Sequence, residues 1–164
     1  MTGGLRQSEL SIIAARPSVG KTALGLNIAH HVAIKEQVPV ALFSLEMGAE
    51  QLAERMLAMG TMHTDPQTSV LRGVSTTAFQ NPNLDDWEWS LLTKSYQRLA
   101  SAPVYLDDSS LLTIRMLRSK ARRLYTHYGV RLFIVDYLQL MTGSGSSDGR
   151  VQEVSEISRG LKLI

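Results

Sequence analysis

Two hydrophobic patterns alternate along this chain: short apolar runs, and longer stretches in which apolar residues recur at helical spacing. Short runs predict buried strands, whereas a repeat of about 3.6 residues predicts an amphipathic helix. The predicted strands cover residues 10–15, 38–44, 104–108 and 132–136. The predicted helices cover residues 21–35, 49–59, 85–99, 113–129 and 151–164. Strands that alternate with helices predict an α/β fold with a mostly parallel sheet flanked by helices.

The segment between residues 60 and 86 breaks this alternation. It is rich in Thr, Ser, Asn, Pro and Asp and has weak periodicity, so we expect an irregular or partly helical stretch. The last predicted helix runs to residue 164 without a stop signal, and a buried parallel sheet usually has more than three long strands. We therefore expect residues 1–164 to be part of a larger domain that is truncated at its C-terminus.

Composition indicates the broad class of protein. The 164 residues are 44% hydrophobic and 20% charged, which is typical of a globular domain. The absence of cysteine excludes disulfides and thiolate metal sites. No apolar stretch reaches the roughly 20 residues that a membrane-spanning helix needs, and the N-terminus lacks the apolar core of a signal peptide. We expect a soluble cytoplasmic protein without a membrane partner.

The net charge of +2 is accompanied by a local excess of basic residues. Residues 115–131 contain no acidic residue, and their basic residues are Arg115, Arg118, Lys120, Arg122, Arg123 and Arg131. Such a helix could bind the phosphates of DNA, although a solvated face or a contact between subunits is the more frequent outcome. The small residues of the loop 144–150 suit a DNA-sensing segment and a plain linker equally well.

A phosphate-binding loop follows the first predicted strand. Residues 14–22 read Ala-Ala-Arg-Pro-Ser-Val-Gly-Lys-Thr, which matches G-x-x-x-x-G-K-[ST] except that Ala15 replaces the first glycine. In this pattern, backbone N–H groups at a helix N-terminus surround phosphates, the lysine reaches the β- and γ-phosphates, and the hydroxyl, here of Thr22, binds Mg²⁺. We predict a site for ATP and Mg²⁺, the alternative being a chance match in a strand–turn–helix connection. The predicted nucleotide-binding residues are Arg16, Pro17, Ser18, Val19, Gly20, Lys21, Thr22 and Ala23.

Carboxylates at the ends of predicted strands are candidates for the rest of the site. Asp136 ends the most apolar strand, where a P-loop enzyme places the acid that holds Mg²⁺; a turn cap is the alternative. Glu46 follows the second strand, and ligands of open α/β sheets lie beyond such strand ends. Glu46 is therefore a candidate base for the attacking water, although a solvated side chain explains its position equally well. Asp107 and Asp108, which end the third strand, compete for the same role.

Several motifs occur in order along nearly the whole chain. They are the loop at 14–22, Phe-Ser-Leu-Glu-Met at 43–47, Val-Tyr-Leu-Asp-Asp at 104–108, Arg-Arg-Leu at 122–124, Ile-Val-Asp-Tyr-Leu-Gln-Leu at 134–140 and Gln-Glu-Val-Ser-Glu-Ile-Ser at 152–158. Together they resemble the RecA-like motor domain of DnaB-type replicative DNA helicases, in which Ala15 is also usual. The resemblance implies a RecA-like P-loop NTPase core. Its implied activity is ATP hydrolysis coupled to translocation on single-stranded DNA and duplex unwinding, by a homo-hexamer with primase and a helicase loader as partners.

The same resemblance implies roles for the candidate residues. Glu46 becomes the catalytic base, Asp136 the Walker B aspartate, Lys21 a catalytic contact to the phosphates, and Thr22 the Mg²⁺ ligand of the loop. The family's γ-phosphate-sensing glutamine, main DNA-binding loops and arginine finger are not found in these 164 residues. Because an arginine finger can contribute about 10³ to 10⁵ in rate, we expect at most weak ATPase activity and no unwinding from this chain alone.

Two other functions are compatible with the nucleotide site. One is a RecA-like recombination or regulatory ATPase, and the other is a nucleotide-dependent assembly module without motor activity. The Ser-Leu-Glu-Met and Asp-Tyr-Leu-Gln-Leu signatures favour the helicase. Residues 64–86 form a longer and less regular region than the family pattern, and residues 79–85 within it resemble an insert.

Overall fold

A computed structural model of the chain describes residues 4–16, 18–65, 69–80, 83–136 and 158–162. The strands are β1 (Val40–Ser44), β2 (His63–Thr64), β3 (Leu71–Arg72), β4 (Val104–Asp107) and β5 (Leu132–Asp136). The α-helices are α1 (Lys21–His30), α2 (Ala49–Thr61), α3 (Asp86–Ala100) and α4 (Ile114–Tyr128). A π-helical turn (His31–Lys35) extends α1, and a 3₁₀ helix (Thr76–Gln80) precedes α3.

The strands β1, β4 and β5 form a parallel sheet in the order β4–β1–β5. Val40 pairs with Val104 on one side and with Leu132 on the other, and Ser44 pairs with Asp136. The carboxyl ends of the three strands therefore lie side by side at one edge of the sheet. This arrangement confirms the predicted α/β fold, and this edge is where open α/β folds bind ligands.

Alternate side chains of β1 face two hydrophobic cores, one on each side of the sheet. Val40 and Leu42 pack with residues of α1 and α2, whereas Ala41 and Phe43 pack with residues of α4 and its flanks. The buried partners are Leu26, Ala29, Ala33, Leu52 and Met56 in the first core, and Leu112, Leu117 and Val130 in the second. Because every residue of β1 is buried, this strand anchors both layers of helices.

Helix caps place the boundaries of α3 and α4 where the sequence predicts them. The Asp85 carboxylate accepts a hydrogen bond from the Glu88 N–H, and the Glu88 carboxylate accepts one from the Asp85 N–H. At α4, Thr113 Oγ1 accepts a hydrogen bond from the Met116 N–H at 3.3 Å. Gly129, with φ 66°, ends the helix in the left-handed region that glycine adopts without steric cost.

The predicted strand over residues 10–15 is wrong. These residues form no strand in the described structure, and Ile12 and Ile13 are 62% and 49% exposed. Among the described residues β5 pairs with β1 alone, and residues 10–15 do not pair with its other edge. An apolar, β-branched run favours a strand only where it finds a pleated surface to pack against, and this run has none here.

Smaller differences concern the ends of the predicted elements. Residues 60–86 contain the short antiparallel pair β2–β3 and the 3₁₀ helix, in addition to the irregular stretches that we expected. In α1, Leu26 and Ala29 face the core, whereas Leu24 is 48% exposed. Of the last predicted helix, residues 158–162 are helical and the remainder lies outside the described residues.

Candidate functional site

The phosphate loop enters α1 through two residues in the left-handed backbone region. Ser18 has φ 64° and Gly20 has φ 100°, and the Val19 N–H donates a hydrogen bond to the Arg16 carbonyl oxygen at 3.4 Å. Gly20 is the N-cap of α1 and adopts this φ because it has no Cβ. Its carbonyl oxygen accepts the first helical hydrogen bond, from the Leu24 N–H at 2.9 Å.

The N-terminus of α1 has the properties of an anion-binding site. Its N-cap residue, Gly20, has no side chain with which to cap it. The N–H groups of its first turn have no acceptor within the helix, and the helix dipole makes this end positive. Lys21, Thr22 and Ala23, which form this first turn, are partly exposed. The arrangement can therefore bind a phosphate group. Pro17, which we predicted to be part of the loop, lies outside the described residues.

A hydrogen bond joins the phosphate loop to the end of β5. Thr22 Oγ1 donates to Asp136 Oδ2 at 2.5 Å, across 114 residues of sequence. Asp136 is buried, with 9% of its surface exposed, so its carboxylate depends on this hydroxyl and on any bound cation for compensation. The contact requires α1 to lie against β5. Gly25 of α1 is close to this strand, because the Cβ of an alanine at Gly25 would lie 3.6 Å from Ile134 Cγ2. Two oxygen ligands of the kind that Mg²⁺ prefers are thereby neighbours.

Glu46 lies beyond the end of β1, on the same edge of the sheet. Its side chain is exposed, and within the described residues no hydrogen bond is made to its carboxylate. Its backbone is held more firmly, because the preceding Leu45 N–H donates to the Asp136 carbonyl oxygen at 2.8 Å. The structure therefore brings Thr22, Asp136 and the Glu46 segment to one place, while the Glu46 side chain is left accessible.

Asp107 and Asp108, the competing carboxylates, are both engaged elsewhere. Asp107 accepts a hydrogen bond from the Lys120 ammonium at 2.5 Å and one from the Ser109 N–H at 3.1 Å. Burial opposes the ionisation of Asp107, but the hydrogen bonds from Lys120 and Ser109 outweigh it and hold its pKa below the ordinary value. Asp108 Oδ2 accepts a hydrogen bond from the Ala49 N–H at 2.9 Å.

The basic residues of α4 divide into two groups. Lys120 is part of the Asp107 ion pair and is therefore not available to a polyanion. Arg131, beyond the helix, lies over the ring of Tyr125, with its guanidinium carbon 5.6 Å from the ring centroid. The remaining arginines are exposed, as either a DNA-binding or a subunit-contacting face requires: Arg115, Arg118, Arg122 and Arg123. The loop 144–150 lies outside the described residues.

Sequence reasoning missed the residues that hold the Glu46 segment. Ser44 is buried, and its Oγ accepts a hydrogen bond from the Met47 N–H at 3.0 Å. The sequence suggests Asp108 as a candidate base, but it does not indicate that Asp108 accepts a hydrogen bond from the first turn of α2. The available signal was weak: a serine at a strand end, and an aspartate at the end of a neighbouring parallel strand.

The described residues form neither a clustered metal centre nor a membrane-spanning helix. Among the described residues, no group of three or more His, Cys, Asp or Glu side chains is arranged to hold a metal ion. Within the same residues, no helix has the length and apolar character to cross a membrane.

Comparison with known proteins agrees with this geometry. The model of the DnaB-like helicase C-terminal domain matches residues 1–164. The chain belongs to this family. It is 46% identical over 166 residues to the replicative DNA helicase DnaC of Bacillus subtilis, with 100% of the chain and 34% of that relative covered. It is 44% identical to the replicative DNA helicase DnaB of Geobacillus stearothermophilus, with the same coverage of both proteins.

Solved structures of the DnaB-like family have the same fold. A DnaB-like replicative helicase, studied with its interactions with primase, superimposes with a TM-score of 0.76 at 26% identity, over 90% of this chain and 33% of that one. The ATPase domain of a second protein superimposes with a TM-score of 0.74 at 27% identity, over 90% of this chain and 49% of that one. The chain spans about a third of the length of the curated relatives above, so it corresponds to part of their C-terminal domain region.

Proposed function

We propose that this chain is the ATP-binding motor portion of a replicative DNA helicase, which couples ATP hydrolysis to translocation on single-stranded DNA and to duplex unwinding. The observation that carries the proposal is the hydrogen bond from Thr22 to Asp136 beside the N-terminus of α1, where the N-cap residue is Gly20. A nucleotide site of the P-loop type needs the loop hydroxyl and the strand-end carboxylate at one point. Membership of the DnaB-like helicase family supports the motor function.

The phosphate groups of ATP bind at the start of α1. Backbone N–H groups between Ser18 and Thr22 donate hydrogen bonds to them, and the Lys21 ammonium contacts the β- and γ-phosphates. Thr22 and Asp136 would hold Mg²⁺, for which their neighbouring oxygens are suitable ligands. When bound, Mg²⁺ neutralises charge that develops on the transferred phosphoryl group. Arg16 and Val19 complete the turn of the loop through their backbone hydrogen bond.

Glu46 accepts the proton of the attacking water. Its carboxylate is exposed at the same edge of the sheet, and no hydrogen bond within the described residues occupies it. Asp107 and Asp108 are less suitable bases, because an ammonium group holds the first and a helix N–H holds the second. A general base must reach the water that it deprotonates, and an engaged carboxylate would first have to give up its partner.

Two variants of the intact protein test the site. Lys21→Ala removes charge-assisted hydrogen bonds, and we expect the affinity for a fluorescent ATP analogue to fall about 10-fold or more. Glu46→Gln should bind the analogue as the parent does, while phosphate release falls about 100-fold or more, because the general base is lost. Lys94→Ala, at an exposed position of α3, is the matched control and should change neither quantity. Parental ATP affinity in Lys21→Ala would refute the site.

The assembly of the intact protein is part of the proposal. We propose a homo-hexamer that encircles single-stranded DNA and contacts primase and a helicase loader. The solved DnaB-like helicase that was studied with primase supports the primase contact. Light scattering of the intact protein with and without ATP measures its mass, and a monomer under both conditions would contradict the ring.

A further inference from the structure

The segment that carries Glu46 is held by three hydrogen bonds, and none of them involves the Glu46 side chain. Leu45 N–H donates to the Asp136 carbonyl oxygen at 2.8 Å, and the Met47 N–H donates to Ser44 Oγ at 3.0 Å. The third bond lies at the far end of the segment, where the Ala49 N–H donates to Asp108 Oδ2 at 2.9 Å. The position of the Glu46 carboxylate therefore depends on how firmly its backbone is anchored.

Asp108 supplies what the local sequence of α2 lacks. The N-cap of this helix is Gly48, which has no side chain, and no side chain from its own segment caps the helix. The capping oxygen comes instead from 59 residues away, just beyond β4. A carboxylate at a helix N-terminus is favoured both by the hydrogen bond and by the helix dipole.

Sheet register explains why Asp108 reaches this position. Phe43 pairs with Asp107 in the parallel ladder of β1 and β4, so the chain segments that follow these two strands leave the sheet side by side. The Asp107 carboxylate accepts a hydrogen bond from the Lys120 ammonium, and the Asp108 carboxylate accepts one from the Ala49 N–H at the start of α2. A Cβ at Gly48 would lie 3.8 Å from Asp108 Oδ2, an ordinary van der Waals distance, so the carboxylate lies directly beside the N-cap residue.

We propose that Asp108 is a positioning residue that fixes the Glu46 carboxylate at the nucleotide site by anchoring the first turn of α2. The inference rests on the proposed role of Glu46 as the base. Asp108 fixes one end of the segment, and Asp136 and Ser44 fix the other. Without the Asp108 anchor, the start of α2 moves relative to β5, and Glu46 moves with it. A shift of about 1 Å in a catalytic group can lower the rate by about 100-fold.

The test compares Asp108→Ala with Asp108→Asn in the intact protein. Asp108→Ala removes the acceptor, and we expect kcat for ATP to fall about 10-fold, within the range that such misplacement produces. KM and the affinity for a fluorescent ATP analogue should stay at parental values, because the phosphate loop is untouched. Asp108→Asn keeps an oxygen that can accept the Ala49 N–H, and it should restore most of the lost kcat.

Two controls separate positioning from other effects. Glu50→Ala removes a negative charge from the same helix turn without removing the acceptor, and it should leave kcat unchanged. Amide hydrogen exchange at Ala49 reports the anchor directly: we expect faster exchange in Asp108→Ala and parental exchange in Asp108→Asn. Equal falls in kcat for Glu50→Ala and Asp108→Ala would overturn the inference, because charge and not the hydrogen bond would then be responsible.

Glu46→Gln, measured in the same series, distinguishes this inference from the proposed function. If Glu46→Gln is inactive and Asp108→Ala retains parental kcat, the positioning role of Asp108 is wrong and the role of Glu46 stands. If Glu46→Gln hydrolyses ATP at the parental rate, Glu46 is not the base, and the inference fails with it. A loss of kcat in Asp108→Ala that Asp108→Asn restores, with ATP affinity unchanged, supports both.

Discussion

At the carboxyl ends of β1, β4 and β5, polar groups form hydrogen bonds with one another. At the junction of α1, α2 and α3, by contrast, the helices lie close together, and one buried side-chain nitrogen has no hydrogen bond among the described residues. At the sheet edge, the Thr22 hydroxyl meets Asp136 and the Ala49 N–H meets Asp108. At the junction, a Cβ added to Gly60 would overlap the Ser95 hydroxyl oxygen and would lie 3.1 Å from Ser95 Cβ.

The two regions have different tasks, and their polar groups reflect this. The hydrogen bonds at the sheet edge surround the position that we propose for the nucleotide. At the junction, Ser95 Oγ donates to the Leu57 carbonyl oxygen at 2.7 Å, and the nearby His30 Nε2 is buried without a hydrogen bond among the described residues. Substitutions at the edge should therefore change ATP turnover, and substitutions at the junction should change stability.

The largest effect is expected from Asp136→Asn at the sheet edge. Asparagine keeps an oxygen that can accept the Thr22 hydrogen bond but loses the charge that we propose binds Mg²⁺. We expect ATP turnover in the intact protein to fall about 100-fold or more, since metal-assisted charge stabilisation contributes several kcal/mol. The free energy of unfolding should change by less than about 1 kcal/mol, because the hydrogen bond is preserved.

Steady-state phosphate release and thermal unfolding of the same preparation measure these two quantities. Asp86→Asn, at an exposed position in the first turn of α3, is the matched control and should leave ATP turnover unchanged. Parental turnover in Asp136→Asn, or a large loss of stability without loss of turnover, would remove the distinction between the two regions.

At the helix junction, Gly60→Ala should produce the opposite result. The new methyl group displaces the Ser95 hydroxyl from its bond to Leu57 or forces α2 and α3 apart, and overpacking of this kind costs about 1–3 kcal/mol. The affinity for a fluorescent ATP analogue should stay at the parental value. Chemical denaturation gives the free energy of unfolding.

Gly25→Ala is the matched control for Gly60→Ala. Gly25 is also helical, but its added Cβ would meet Ile134 Cγ2 at an ordinary 3.6 Å. An alanine in a helix is otherwise about 1 kcal/mol more favourable than a glycine, so Gly25→Ala should be neutral or stabilising. In a Ser95→Ala background the cost of Gly60→Ala should shrink, and an unchanged cost would show that Ser95 is not the obstacle.

The same contrast describes how much of the molecule could be predicted from its sequence. Thr113 and Gly129 delimit α4 as predicted. A cap residue acts within one helical turn, so it can be recognised from the residues next to it in the sequence. Asp136 lies beside Thr22. The P-loop pattern and the aspartate at the end of an apolar strand were enough to predict that these two residues share a site. Local patterns of this type give both the helices and the first half of the site.

Contacts between distant segments could not be predicted in this way. Asp108 caps a helix 59 residues away, and its partner is determined by the register of β1 and β4, which no local pattern encodes. Gly60 reads as an ordinary weak point in a helix, and its closeness to Ser95 depends on how α2 and α3 pack. The prediction of a strand at residues 10–15 is wrong for the same reason, because a strand needs a neighbouring strand as well as an apolar sequence.

The smallest effect is expected from the pH dependence of the helix junction. Burial lowers the pKa of His30 below 6.5, and the nearby positive charges of His31, Lys35 and Arg98 lower it further. Between the folded-state pKa and about 6.5, the unfolded chain binds a proton that the folded chain does not. The stability that comes from neutral His30 is therefore complete above about pH 6.5 and declines as the pH falls through the folded-state pKa.

Denaturation of the parent and of His30→Gln between about pH 8 and pH 5 isolates this effect, with the exposed His127→Gln as control. We expect the parent to lose more stability on acidification than His30→Gln, by less than the cost of Gly60→Ala; equal slopes would mean that His30 takes up its proton in the folded state as readily as an exposed histidine does.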